Sequence, residues 1–262
     1  MLNLPQKPKW DIARVSHSTL VNADCFDVFP FIEDKSIDAI ICDLPYGTTA
    51  CKWDTIIPFE PLWAQYKRII KDNGAIVLFG SQPFTSALVM SNVKWFKYEW
   101  IWNKNKGSNI MLAKKQPLKV HENILVFGGS NYFPQMESVV GKIRDQRLEK
   151  EKINRNDGAV TPKGAIKYAK DYDPSKKYPT SIRLFTNHRE KEQVFHPTQK
   201  PVALLEYLVK TYTNEGDMVL DNTMGSGTTN LACLKLNRKS IGIEKEKQYY
   251  DVAVRRLSEY CG

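Results

Sequence analysis

The chain has few cysteines, no long apolar run and a shortage of acids. Its five cysteines, Cys25, Cys42, Cys51, Cys233 and Cys261, are odd in number, and no two stand at C-x-x-C spacing. That pattern indicates neither a zinc site nor a disulfide framework, so a reducing cytoplasm is the expected compartment. No apolar stretch is long enough to span a bilayer, and residues 1–10 carry no charged-then-apolar leader, so no membrane partner is expected. Internal repeats and low-complexity tracts are missing too. Acids number 29 against 38 Lys and Arg, a net charge of +9. Such a balance favours a polyanionic partner, nucleic acid before membrane. What remains is ordinary: 262 residues, 42% hydrophobic and 26% charged, suffice for one full core with room for an insertion.

The sequence is organised around Ile40-Ile41-Cys42-Asp43-Leu44-Pro45-Tyr46-Gly47. An apolar run stops at a carboxylate, then meets a proline, a phenol and a glycine. This reads as a buried strand ending in a tight loop. In an open α/β sheet, ligands sit just beyond the carboxyl ends of strands. A carboxylate beside a flat ring suits a planar molecule with an amino group: the oxygens accept its N–H bonds and the ring stacks on its face. An isolated four-residue match of this kind is equally a strand followed by a Pro-Gly turn, so the reading depends on a second site elsewhere.

Strands and helices alternate around that stretch. Strands are expected over 18–23, 37–42, 75–79, 98–102, 123–127, 218–221 and 240–243. Helical spacing covers 26–33 weakly, then 59–70, 84–90, 202–212, 228–236 and 249–260. The alternation predicts a largely parallel α/β sheet. Residues 1–17, with Pro5 and Pro8, read as a loose arm. Residues 131–195 carry fourteen Lys and Arg against nine acids, are broken by four prolines, and hold no long apolar strand. They read as an insertion outside the sheet, partly mobile without a ligand and suited to recognition. Its helical pieces are expected near 139–153. Between Lys94 and Lys119 seven lysines face one acid, Glu99, with Trp95, Phe96, Tyr98, Trp100 and Trp102 interleaved. Bases stack on rings and phosphates attract lysines, although 100–102 reads equally as core strand.

The second site is Asp221-Asn222-Thr223-Met224-Gly225-Ser226-Gly227-Thr228-Thr229, between a strand and a helix. Glycines let a ligand approach the backbone, and the first N–H groups of the helix face it. A phosphate loop fails for want of its lysine, and a dinucleotide fingerprint fails because only Gly-x-Gly is present. The next strand ends in Glu244, well placed to accept both hydroxyls of a ribose.

Four segments now converge. L-D-N-T-M-G-S-G-T-T followed by I-G-I-E, H-P-T-Q-K-P-V-A-L-L-E before them, V-N-A-D-C near the start, and D-L-P-Y resemble the motifs of S-adenosylmethionine-dependent DNA amino-methyltransferases. The order, catalytic motif first and cofactor motifs last, matches the beta group. The resemblance spans about Leu20 to Tyr260 apart from the insertion. It implies a Rossmann-like class I methyltransferase fold: a mostly parallel seven-stranded sheet, helices on both faces, and an inserted target-recognition region. The expected division is an arm (1–17), a catalytic half (18–130), the insertion (131–195) and a cofactor half (196–262).

By the same resemblance, adenine in double-stranded DNA is flipped into a pocket of Asp43, Leu44, Pro45 and Tyr46 and methylated on N6 without a covalent enzyme intermediate. S-adenosylmethionine is expected on Asp24, Cys25, Asp43, Thr198, Lys200, Asp221, Met224, Gly225, Ser226, Gly227, Thr228 and Glu244, with Gln199 close by. Lys104, Lys106, Lys114, Lys115 and Lys119 are expected on DNA, and the lone His121 and His196 are more often structural. No metal is expected. A homodimer and a restriction endonuclease of the same system are compatible partners. Two departures stand out: Leu44 replaces the usual first proline, and Asn222-Thr223-Met224 replaces the frequent Pro-Phe before Gly-x-Gly. The alternatives are transfer to N4 of cytosine, which Asp43 disfavours because those enzymes more often begin the motif with serine, an RNA methyltransferase, and a catalytically silent DNA-binding protein that keeps the fold.

Overall fold

The computed structural model describes residues 2–3, 9–49, 51, 54–139, 173, 175–186 and 199–262. The chain divides into two compact units, one of residues 1–133 with 181–262, the other of residues 134–180. The smaller unit shows a short antiparallel ladder, β7 (Glu137–Ser138) with β8 (Lys176–Lys177), closed by a Lys177–Glu137 ion pair of 3.4 Å. Beyond Val139, the expected helical pieces near 139–153 lie outside the described residues, as do His196 and Thr198.

The larger unit is built on a nine-stranded sheet in the order β1-β2-β11-β10-β3-β4-β6-β5-β9. Its strands are β1 (Asp11–Val15), β2 (Ser18–Asn22), β3 (Ile37–Cys42), β4 (Ile70–Gly80), β5 (Phe96–Ser108), β6 (Lys119–Gly128), β9 (Ile182–Leu184), β10 (Met218–Asp221) and β11 (Lys239–Glu244). Five of the eight pairings are parallel, so the mostly parallel expectation holds. The count of seven does not, because β1 and β9 extend the two edges. β1 falls inside the expected loose arm: Asp11–Val15 pairs antiparallel with β2, a hairpin whose half-exposed residues give a weak apolar signal. β9 is three residues long and likewise too short to read.

Alternation along the central strands loads both faces. Ile40 and Cys42, Ile76 and Leu78, and Leu125 and Phe127 point to one cluster. Ile41, Val77 with Phe79, and Ile124 with Val126 point to the other. Such two-sided burial is what a sheet covered by helices on each face demands. On the first face lie α1 (Cys25–Val28), α2 (Phe59–Ile69) and α3 (Phe84–Ser91). On the second lie α4 (Val202–Tyr212) and α5 (Thr228–Lys235). The closing helix α6 (Lys247–Cys261) packs Tyr250, Ala253 and Leu257 on Leu20, Met224 and Leu234. Helix α2 stops at Ile69, one residue short of the expected 59–70, because Ile70 is already extended and buried in β4.

Candidate active site

Strands β2, β11, β10, β3 and β4 are neighbours and run parallel. Their carboxyl ends therefore emerge along one edge, where Asp24, Glu244, Asp221 and Asp43 all stand. A cavity of about 1080 Å³ opens there. Asp43, Leu44, Pro45 and Tyr46 line it together with Asp24, Cys25, Lys200, Asp221, Met224, Gly225, Ser226, Thr228 and Glu244. The D-L-P-Y loop and the glycine loop thus share one hollow, although about 180 residues separate them in the chain.

The glycine loop is held by backbone geometry. Gly225 and Gly227 have φ of 51° and 74°, a left-handed region costly for other residues. A Cβ on Gly227 would also stand 2.9 Å from the Ala253 Cβ. Glu244 accepts the Gly225 N–H through Oε2 and the Glu246 N–H through Oε1, each at 2.9 Å. Burial pushes its carboxyl upward, and these two N–H groups oppose the push. Buried Arg256 on α6 donates to the Ser226 carbonyl at 2.6 Å and to its hydroxyl at 3.1 Å. Sequence reasoning missed Arg256; its signal was a cation on the same helical stripe as Tyr250, Ala253 and Leu257. Asp24 caps α1 through the Phe26 N–H at 2.9 Å, and burial next to Asp24 pushes the Cys25 thiol up to about 12.

The D-L-P-Y loop is held by side chains. Asp43 Oδ1 accepts the Tyr46 hydroxyl at 2.7 Å, and Oδ2 is ion-paired with Lys200 Nζ. The Tyr46 ring stacks on Phe84 with centroids 5.0 Å apart. Asp54 anchors the loop beyond, accepting the N–H groups of Gly47, Thr48 and Thr49 at 2.7–2.9 Å. Although burial opposes it, the Thr49 hydroxyl and these N–H groups hold the Asp54 carboxyl low. Thr223, one of the departures from the family pattern, donates its hydroxyl to the Asp43 carbonyl at 3.1 Å and ties the two loops together. Asn222, in the same departure as Thr223, accepts the Tyr66 hydroxyl at 2.6 Å and the Cys42 thiol at 3.0 Å beneath the cavity floor. Leu44 is buried in the first-face cluster, where its bulk replaces the ring of a proline. Met224 is mostly turned into the α6 cluster, against Gly242.

Behind Asp43 lies a group of charges that sequence reasoning did not assemble. Glu122 of β6 stands 3.5 Å from Lys200 and 3.1 Å from Lys104. Lys200 is thereby flanked by two carboxylates: burial works against its charge, and Asp43 with Glu122 outweighs it, raising its pKa. Burial pushes Asp43 above the usual carboxylate range, with Lys200 pulling down and Glu122 pushing up. Glu122 itself, despite burial, is held low by Lys200 and Lys104. The only sequence hint was an acid at the head of an apolar strand. Of the five lysines expected on DNA, Lys104 is thus turned into the cavity. Lys119 meets the Ser81 hydroxyl and is lowered by burial, with Lys104 adding and Glu122 opposing. Lys106, Lys114 and Lys115 are exposed. Asp221 is buried, and that burial raises its carboxyl to about 7 against hydrogen bonds from Thr229 and the Thr223 N–H. No group of acids, histidines and cysteines able to hold a metal occurs among the described residues.

The family model for DNA methylases of the N6/N4 type matches residues 37–255. The chain belongs to this DNA amino-methyltransferase family. It is 30% identical to the Type II methyltransferase M.HpaI of Haemophilus parainfluenzae, over 93% of this chain and 75% of that protein. It is 28% identical to M1.MboII of Moraxella bovis, over 88% and 92% of the two chains. Among solved structures, the complex of M1.HpyAVI with S-adenosylmethionine superposes with a TM-score of 0.60 at 26% identity, covering 91% of this chain and 99% of that one. The cytosine-N4-specific PvuII methyltransferase shares the fold, with a TM-score of 0.63 at 13% identity over 94% and 91% of the chains. The chain is a DNA methyltransferase, and S-adenosylmethionine is its cofactor. The site fits that cofactor: a strand-end carboxylate for hydroxyl groups, a glycine loop at a helix start, and a cavity with volume for a nucleoside beside a base.

Proposed function

We propose that the chain methylates the N6 amino group of adenine at a specific sequence in double-stranded DNA, acting on a base flipped into the cavity. S-adenosylmethionine supplies an electrophilic methyl group when bound. Glu244, Gly225, Ser226 and Thr228 would hold it at one end of the cavity, with Asp24 and Cys25 beside them. Thr198 and Lys200 would attend its amino-acid end.

Asp43 does the central work. Its carboxylate and the Leu44 carbonyl accept the two amino hydrogens, which directs the nitrogen lone pair across the cavity. As the new bond forms, the nitrogen gains positive charge, and the fixed carboxylate stabilises it. Asp43 then accepts the proton that the amine gives up. Lys200 holds the carboxylate in place while the site is empty, and Tyr46, backed by Phe84, offers its ring to the base. The observation that carries this reading is the shared cavity of Asp43 and Gly225.

Transfer to N4 of cytosine uses the same amino geometry, and the N4-specific structural neighbour keeps that reading alive. Asp43 as first residue of the motif favours adenine. The test is to incubate the protein with labelled cofactor and unmethylated DNA, digest to nucleosides and separate the products. N6-methyladenine is expected; N4-methylcytosine in its place overturns the choice of base.

A further inference from the structure

We propose that the tip of the β5–β6 hairpin is a wedge that enters the DNA duplex and fills the gap left by the flipped base. This rests on the DNA reading above and adds to it the element that opens the helix. The sheet register locates the tip. Gly80, the last residue of β4, pairs with Asn123 of β6, and β6 begins four residues earlier at Lys119. Because β6 runs antiparallel to β4, those residues continue past the carboxyl edge by about 13 Å. The hairpin stem, Lys104 to Ser108, lines the cavity that holds Asp43. The turn therefore stands beyond the cavity mouth, on the side from which a duplex must approach.

Its chemistry is unusual for a surface turn. A single helical turn, Ile110–Leu112, presents Ile110 at 72%, Met111 at 98% and Leu112 at 42% exposure. Leu118, just before the returning strand, and Val120 on it are exposed too. A contiguous apolar tip facing water marks a contact surface. Around it the charge is of one sign: residues 104–119 hold five lysines and no acid. Lys104 and Lys119 are engaged within the fold, while Lys106 on the stem and Lys114 and Lys115 on the turn are exposed. Aliphatic side chains ringed by lysines complement a base stack flanked by phosphates. Proteins that unstack DNA insert Leu, Ile or Met side chains in this way. The remainder of the lysine-rich surface grips phosphate and carries no sequence information.

The test follows once methylation-sensitive sequencing has given the target site. Two duplexes carrying it are compared, one fully paired and one with an abasic position opposite the target base, where opening is already easy. The variant Ile110→Ser/Met111→Ser/Leu112→Ser is expected to lose about tenfold or more in transfer rate on the paired duplex and to recover most of it on the abasic one. A control, Lys114→Gln/Lys115→Gln, weakens binding to both duplexes alike and lowers the salt dependence of binding. An equal loss on both duplexes by the serine variant, or no loss on either, overturns the wedge. A change of the serine variant from dimer to monomer in sedimentation, without the abasic recovery, assigns the tip to a second copy of the chain instead. A parent protein that labels neither duplex nor genomic DNA overturns the function itself, a result distinct from a failure of the wedge alone.

Discussion

The two loops of the cavity are fixed by different means. Glu244 is gripped by two backbone N–H groups, those of Gly225 and Glu246. Asp43 is gripped by two side chains, the Tyr46 phenol and the Lys200 ammonium. A backbone clasp forms once the chain folds and has no rotamers to exchange. A side-chain clasp can let go. The first suits a cofactor loop that must keep one shape. The second suits the role proposed for Asp43, whose oxygens exchange the phenol and the ammonium for an incoming amine. Charge adds to the contrast: the glycine loop is braced mostly by neutral groups and Arg256, whereas Asp43, Lys200, Glu122 and Lys104 form one linked set of ions.

Breaking the side-chain clasp at its centre has the largest expected effect. Asp43→Ala lowers methyl transfer to DNA by about a thousandfold or more, since the group that stabilises developing charge is gone. Calorimetry should still find cofactor binding, because Glu244 and the glycine loop are untouched; parent-like transfer by this variant would sink the proposed mechanism. Straining the glycine loop that the backbone clasp holds comes next. Gly227→Ala meets both a left-handed φ of 74° and the Ala253 Cβ at 2.9 Å, so it costs about 2 kcal/mol of stability and weakens cofactor binding. Thermal unfolding with and without cofactor measures both.

A subtler comparison uses pH. Asp221 holds its proton more tightly in the folded chain, at about 7 against an ordinary 3.8. The folded state therefore loses stability as pH rises through that window. Asp221→Asn should flatten the curve and unfold at a higher temperature than the parent at pH 8, by on the order of 1 kcal/mol in stability. Identical curves for parent and variant between about pH 4 and pH 8, a range that covers the shift, would show that Asp221 does not titrate there. Smallest is the effect of Glu122→Gln. Glu122 raises the Asp43 carboxyl, so removing its charge moves the acid limb of the rate profile to lower pH. An unmoved limb would show that the ions behind Asp43 act separately.

Much of this was legible in the sequence because it is local. The run Ile37–Cys42 and the segment Met218–Asp221 announced their own strands; the first is followed by the acid Asp43 and the second ends on Asp221, and both acids line the cavity. Helix α4 begins and ends at the expected 202 and 212. The edge strands were not legible, since Asp11–Val15 and Ile182–Leu184 bury too little surface to leave a clear alternation.

Spacing and residue type alone determined a strand–acid–proline–phenol loop, a glycine loop with an acid one strand later, and a basic, acid-free stretch between Lys104 and Lys119. Only the tertiary structure decided that Glu122 and Lys104 stand behind Asp43, that Arg256 reaches the glycine loop, and that three apolar side chains crown the hairpin. Such pairings depend on which strands become neighbours and how far one runs past another. Those are properties of sheet order and register, which no short segment encodes by itself.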